Sequence, residues 1–418
     1  MKIAVASSSL PPGLGISSYV DEINQFLYRQ GHDVMVFVTD IRDTDTTNYE
    51  FPVHVTKIPR SKRNELLSIN RFRDAMLCFS PDAILINDCI YASNILPSLP
   101  TSILRVSVVH GYRPGFGIDG HRLLTSAAIH NHFWLDWIVA INQHMCDGLI
   151  KDYGIPSDKV KLVYNGINPL VNSDLSEYRN SDEAKKVILF AGGTNFTKGW
   201  DTFLKAAKLL SRSQSSKWEI IWIGGGTEPP KALKKSGMLN RNIKWKGVLS
   251  RSSVIELLGQ THLLVMPSRA EACPMLLLEG LSMGAVPVVS DCPSAMMEIV
   301  KDSNCGIVTK VGDAKELSER LAHLLANQKT ISEMSKQGQQ YFMKNLHIDI
   351  TCNKILELLS TRRSNFLPEQ TKFPSGKIYP FHLRPYKYSK WNPLGFYERL
   401  KLISGILPSP LKPNRHVS

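Results

Sequence analysis

The run Ser268-Arg-Ala-Glu-Ala-Cys-Pro-Met-Leu-Leu-Leu-Glu-Gly-Leu-Ser-Met-Gly-Ala-Val-Pro-Val-Val-Ser290 decides how the chain is read. Just before it, the apolar residues from His262 to Met266 read as a buried strand. The run itself has a polar turn, an apolar helix and a second apolar strand from Val286 to Ser290. Pro274 is expected at the first helical position, where its missing N–H is not needed. Gly284 is expected at the helix stop, because glycine accepts a positive φ cheaply. Glu271 precedes the helix and Glu279 lies inside it.

A strand, a turn and a helix N-terminus make an anion site, since the first-turn N–H groups and the helix dipole point the same way. Those groups belong here to Cys273, Met275, Leu276 and Leu277, and a nucleotide diphosphate fits them. Glu279, one turn in, would accept hydrogen bonds from vicinal hydroxyls such as those of a ribose. Glu271, at the loop edge, would reach a sugar. On spacing alone, a buried helix with two incidental acids reads equally well. A carboxylate in so apolar a helix is nonetheless costly unless it is paired.

The stretch resembles the E-x7-E signature of the retaining family 4, or group 1, glycosyltransferases. The resemblance runs from Met1 to about Ser360. It implies an α/β chain of the GT-B fold, with two Rossmann-like, doubly wound parallel-sheet domains facing across a cleft. Its implied activity is transfer of a sugar from a nucleotide-diphospho-sugar to an acceptor hydroxyl, with retention. It implies no metal or other cofactor.

Length and composition agree. A chain of 418 residues has room for two or three domains. Its 43% hydrophobic content supplies a core. Seven scattered cysteines, none in C-x-x-C spacing, argue against a disulfide framework or a zinc module. No apolar run approaches the ~20 residues of a membrane span. The expectation is a soluble, cytoplasmic chain without a signal peptide.

From the N-terminus, a strand at Lys2–Ser7, the glycine loop around Gly13 and Gly15, a helix from Ser17 to Gln30 and a strand from Val34 to Val38 give a βαβ opening. A dinucleotide fingerprint would need glycine at Ser18, so Gly13-x-Gly15 is weak evidence for one even with Asp40 after the second strand. The resemblance instead sets Gly13 and Gly15 near the donor phosphates. Further strands are expected at Ala83–Ile86, Ile103–Val109, Trp137–Ile141 and Val160–Tyr164. Asp43-Thr-Asp45 could hold a metal, but its polar surroundings read as a solvated loop. His130 and His132 lack the acid or cysteine that a metal site needs.

His110 ends a strand, where open α/β sheets bind ligands; the resemblance sets it beside the donor sugar. Val163-Tyr-Asn-Gly-Ile-Asn168 resembles the run that closes the family's first domain. The expected organisation is therefore an acceptor-side domain over 1–168, a polar linker over 169–186, a nucleotide-sugar domain over 187–345, a helix over 346–360 returning to the first domain, and a tail over 361–418. Gly192-Gly-Thr-Asn-Phe-Thr-Lys198-Gly199 resembles the family's V-G-R-x-x-x-x-K-G. Lys198 would neutralise the leaving diphosphate. Gly193 stands where the family has arginine, with Arg269 and Arg251 as the candidates to substitute for it. Gly224 would lie near the nucleotide, and the turn at Val248 would meet the base. The catalytic set is Glu271, His110 and Lys198. The donor set is Gly13, Gly15, Gly193, Lys198, Gly224, Val248, Cys273, Met275, Leu276 and Glu279. Glu298 is expected in a structural role, capping or pairing.

The net charge of +13 is uneven, because Thr361 onward carries eleven basic residues against two acids. Aromatic residues such as Trp391 and Phe396 accompany them. Basic plus aromatic suggests an anionic membrane surface on the inner face. An extended strap on the body, or a disordered tail, reads equally well. No nucleic-acid module accompanies the charge. The expected partners are thus a nucleotide-diphospho-sugar, a glycan or lipid-linked acceptor, and that membrane surface. Two other readings remain: a non-catalytic GT-B scaffold of a glycan-assembly complex, motivated by Gly193, and a sugar-nucleotide epimerase.

Overall fold

A computed structural model of the chain describes residues 1–8, 15–40, 51–57, 65–111, 128–129, 131–170, 185–211, 218–226 and 228–363. It divides into two compact units, the first from Met1–Val163 with the chain from Cys352 on, the second Tyr164–Thr351. Gly13, Asp43, Asp45, His130 and residues 364–418 lie outside the described residues, as does most of the 169–186 linker.

Unit 1 runs β1 (Lys2–Ser7), α1 (Gly15–Arg29), β2 (Asp33–Asp40), β3 (Val53–Lys57), α2 (Glu65–Phe79), β4 (Ala83–Asn87), α3 (Ile90–Ile95), β5 (Leu104–Val109), β6 (Trp137–Ala140), α4 (Gln143–Lys151) and β7 (Val160–Leu162). Its strands lie in the order β3-β2-β1-β4-β5-β6-β7, and every pairing is parallel. Continuous apolar strands such as Ala83-Ile-Leu-Ile suit a sheet covered on both faces, and β4 is buried throughout. β3 was not among the expected strands. Its Val53-His-Val-Thr-Lys is short and half polar, and it takes an edge position beside β2.

Unit 2 runs β8 (Lys186–Ala191), α5 (Trp200–Leu210), β9 (Trp218–Ile223), α6 (Lys231–Ser236), β10 (Ile243–Gly247), α7 (Arg251–Gln260), β11 (Thr261–Met266), α8 (Met275–Ser282), β12 (Val286–Ser290), α9 (Ala295–Ser303), β13 (Ile307–Thr309), α10 (Ala314–Ala326) and α11 (Gln328–Asn345). The parallel order is β10-β9-β8-β11-β12-β13. The last helix, α12 (Ile348–Ser360), contains the second division between units. Phe190 and Phe203 stack with ring centroids 4.4 Å apart, and Trp222 meets both edge-on. Burying each such side chain stabilises the unit by roughly 2–3 kcal/mol. None of the described helices is long and apolar enough to cross a membrane.

Strand order fixes where each sheet can bind. In a doubly wound sheet the ligand crevice opens at the carboxyl ends of the two strands where the order reverses. In unit 2 those are β8 and β11, so the loops after Ala191 and Met266 meet. Gly199 lets them meet closely. Its φ is +67°, and a Cβ there would lie 1.9 Å from the Pro267 carbonyl oxygen.

Gly199→Ala should therefore destabilise unit 2 by on the order of 3 kcal/mol, from overpacking against backbone plus a left-handed conformation. Gly31→Ala is the control, since Gly31 shares the positive φ but faces open space. Urea unfolding of both variants checks this; equal midpoints would show that the contact with Pro267 is not the constraint.

Candidate functional site

At the carboxyl end of β11 the turn folds back on Glu271. The Lys198 ammonium donates to Glu271 Oε1 at 2.6 Å, and the Ser268 hydroxyl donates to the same oxygen at 2.9 Å. Ser290, at the end of β12, holds the turn by donating to the Ser268 carbonyl. The Glu271 side chain is only 9% exposed while Lys198 is 39% exposed. The carboxylate is thus sunk and doubly donated, and the ammonium remains open to a ligand. Ser268 was not among the expected site residues, although its place three residues before Glu271 suits such a turn bond.

The helix N-terminus differs from expectation in two respects. Pro274 is the N-cap of α8 in extended geometry, φ −71° and ψ 123°, and Met275 is the first helical residue. The ring fixes φ but leaves ψ free, and an extended ψ lets the chain turn in from the loop. The Leu277 N–H closes on the Pro274 carbonyl at 3.0 Å, which removes it from the N–H groups expected to face an anion. Met275 and Leu276 open the helix at the same carboxyl edge. Cys273 is buried, and burial pushes its thiol up to about 12 although the Asn165 backbone N–H donates to it. It packs as a small hydrophobe there. The Asn165 amide reaches the Met275 sulfur at 3.8 Å, and the Tyr164 hydroxyl donates to Glu298 at 2.8 Å. Glu298 is thus paired, the structural part expected of it.

Glu279 is one turn into α8 with its side chain 9% exposed, and Arg251, at the start of α7, meets its Oε1 at 3.1 Å. Burial raises this carboxyl's pKa and the guanidinium pulls it back. Nearby, Val248 is 73% exposed in the turn after β10. Gly224 follows β9 at φ +92°, its carbonyl accepting from Trp245 Nε1 at 3.0 Å. Gly193 follows β8, and a Cβ there would meet Gly225 Cα at an ordinary 3.4 Å.

Of the two arginines considered for the place Gly193 leaves, Arg269 is committed elsewhere. It grips Asp201 with two hydrogen bonds of 2.7 and 2.8 Å, donates to the Phe196 carbonyl at 2.9 Å and lies 3.9 Å above the Phe196 ring. Its role is to tie the Lys198 loop to the Glu271 turn.

In unit 1 the reversal of strand order lies between β1 and β4, and β4 ends at Asn87. His110 follows β5, buried, with Nε2 donating to the Asn87 side-chain Oδ1 at 3.1 Å and its ring edge-on to Tyr19 at 4.9 Å. Burial drops its pKa to about 3, so the imidazole is neutral at physiological pH. Asp88 takes the backbone N–H of His110 and sits at φ +47°. Gly15 begins α1. Asn87 and Asp88 were not foreseen, because nothing in their residue types marks a strand end as ligand-facing until the strand order is known.

Two family models match the chain. One, described as Glycosyltransferase Family 4, covers residues 14–169; the other, Glycosyl transferases group 1, covers residues 172–341. The chain is a member of the group 1 glycosyltransferases. Similar proteins include the N,N'-diacetylbacillosaminyl-diphospho-undecaprenol alpha-1,3-N-acetylgalactosaminyltransferase of Campylobacter jejuni, 28% identical over 46% of this chain and 48% of that protein. The alpha-galactosylglucosyldiacylglycerol synthase of Streptococcus pneumoniae is 20% identical over 80% of this chain and 83% of its own. The chain spans about half the length of the first curated relatives it matches. Among solved structures, Anabaena HepE in complex with UDP aligns with a TM-score of 0.70 at 18% identity, covering 86% of this chain and all of that one. At that identity the likeness speaks to fold, and the fold is GT-B.

Asp88 gives a test of the unit 1 site. Burial raises its carboxyl from 3.8 to about 7. The folded state therefore holds this proton more tightly than the unfolded state, and stability falls as pH rises from about 4 to 7. Asp88→Asn keeps an acceptor for the His110 N–H, tolerates the positive φ and removes the penalty. Its melting temperature should match wild type at pH 4 and exceed it above pH 7, by at most about 4 kcal/mol in stability. A constant offset at every pH would show that Asp88 is not the titrating group.

Proposed function

We propose that this chain transfers a hexose from a nucleotide-diphospho-sugar to a hydroxyl of a glycan or lipid-linked acceptor, with retention at the anomeric carbon. The observation that carries it is the grouping of Lys198, Glu271 and the N-terminus of α8 at the carboxyl edge of β8 and β11. The barrier to glycosyl transfer is negative charge on the leaving diphosphate and positive charge on the sugar carbon. An ammonium and a helix N-terminus stabilise the first. Glu271, once its ammonium turns to the diphosphate, faces the second. Glu279 takes the ribose hydroxyls. His110 enters through the resemblance alone, and its neutral imidazole would hydrogen-bond a sugar hydroxyl without adding charge. Retention likewise rests on the resemblance. The Campylobacter relative is named for a diphospho-undecaprenol acceptor and the Streptococcus relative for a diacylglycerol glycolipid, which supports the lipid-linked class. The HepE structure holds UDP, which supports the donor class.

Gly193 favours a second reading, a non-catalytic member that binds donor weakly. Thermal stability against UDP, GDP, ADP and dTDP in EDTA separates the two. The transferase reading expects one nucleotide at a hundred times its Kd to stabilise the chain by about 2.7 kcal/mol. Lys198→Ala and Glu279→Ala should each abolish most of that gain. No stabilisation by any of the four would favour the scaffold.

The tail enters the same proposal as a contact with an anionic membrane surface. Its described start is fastened to unit 1: Trp137 Nε1 donates to the Thr361 carbonyl at 2.7 Å, Arg362 donates to the carbonyls of Thr101 and Ser102, and Arg363 pairs with Asp158. The full chain should co-sediment with vesicles containing phosphatidylglycerol and release at high salt, while a chain ending at Arg363 should stay in the supernatant. Equal sedimentation of the two would remove the tail from the proposal.

A further inference from the structure

With glycine at 193, where the resemblance implies an arginine, the countercharges so far assigned to the diphosphate are Lys198 and the N-terminus of α8. Arg269 is locked to Asp201 and Phe196, with its side chain only 15% exposed. Arg251 is different. Its side chain is 51% exposed, and among the described residues its ion pair is with Glu279, the carboxylate assigned to the ribose. Ser250 caps α7 by accepting from the Ser253 N–H, which fixes where the Arg251 backbone stands. At a rise of about 1.5 Å per residue, Glu279 lies about 6 Å along α8 from Met275, within the arc of an arginine side chain.

We propose that Arg251 supplies the second positive charge for the donor diphosphate, released from Glu279 when the ribose occupies that carboxylate. The inference rests on the donor reading given above and assigns a residue within it. Without ligand, Glu279 is nearly buried and needs a partner, and Arg251 provides one. Vicinal ribose hydroxyls can donate to the carboxylate in its place. The freed guanidinium then has five donors and a planar fork suited to phosphate oxygens. The ion pair thereby couples the two halves of the donor: the nucleoside displaces Arg251, and the diphosphate receives it. A nucleoside without phosphates must break the pair with nothing offered to the arginine in return.

The test is calorimetric binding of UDP and uridine, with GDP and guanosine in parallel, to the full chain and to Arg251→Gln. Arg251→Gln should weaken the diphosphate about tenfold, tighten the nucleoside, which then has no ion pair to break, and lessen the salt dependence of diphosphate binding. Gly193→Arg, for which the backbone leaves ordinary contact room beside Gly225, should restore diphosphate affinity in the Arg251→Gln background. Equal weakening of diphosphate and nucleoside would overturn the inference, because Arg251 would then act on the nucleoside. Unchanged diphosphate binding would overturn it too. If the wild-type chain binds none of these ligands, the donor reading itself falls and takes this role with it.

Discussion

The site in unit 2 depends on a backbone contact rather than on any of its charges. Gly199 lies so close to the Pro267 carbonyl that a side-chain carbon has no room. That contact presses the loop after β8 onto the turn after β11, and other bonds fasten the same two segments. The Arg269 backbone N–H donates to Thr197 at 2.7 Å, while its guanidinium reaches Phe196 and Asp201. Asp201 stands in the first turn of α5, where a carboxylate also suits the helix dipole. Lys198 sits between these fastenings, so its ammonium starts from a fixed backbone position beside Glu271. An ion pair with a lysine this exposed is worth little by itself. Its geometry is a consequence of the loop packing, so the glycine and the arginine fix where the ammonium stands.

Much of this was legible in the chain. Apolar runs bounded by glycine and polar turns marked β1, β4, β5 and β11, because a strand covered on both faces has to be apolar throughout. The spacing of Glu271, Pro274 and Glu279 told of a turn entering a helix, since one residue type suits each place. Partnerships over long separations were not legible. Arg269 and Arg251 look alike in sequence as spare cations. Only the fold shows that Asp201, 68 residues away, has taken one and that Glu279 holds the other. The exact capping of α8 was also hidden, because proline is equally at home at the cap and at the first helical position. His110 was found from its place at a strand end, yet its neutral state follows from burial beside Asn87 and Tyr19. β3 was missed because an edge strand can be half polar, and its pattern then resembles a loop.

The two carboxyl edges obey one topological rule but carry opposite electrostatics. Unit 2 sets Lys198 and Arg251 partly in water, each paired with a carboxylate that is nearly buried. In each pair the cation keeps a side open to water while the acid lies beneath it. Unit 1 sets His110, Asp88 and Cys89 in the interior, and burial drives all three toward their uncharged forms. A neutral imidazole and a carboxyl that titrates near 7 offer hydrogen bonds without a strong field. An anion gains little there, whereas a hydroxyl can both donate and accept. The unit 2 edge therefore presents charge that water still reaches, and the unit 1 edge presents neutral hydrogen-bonding groups. That division follows from the cost of burying charge, and it is the same cost that leaves Glu279 in need of Arg251.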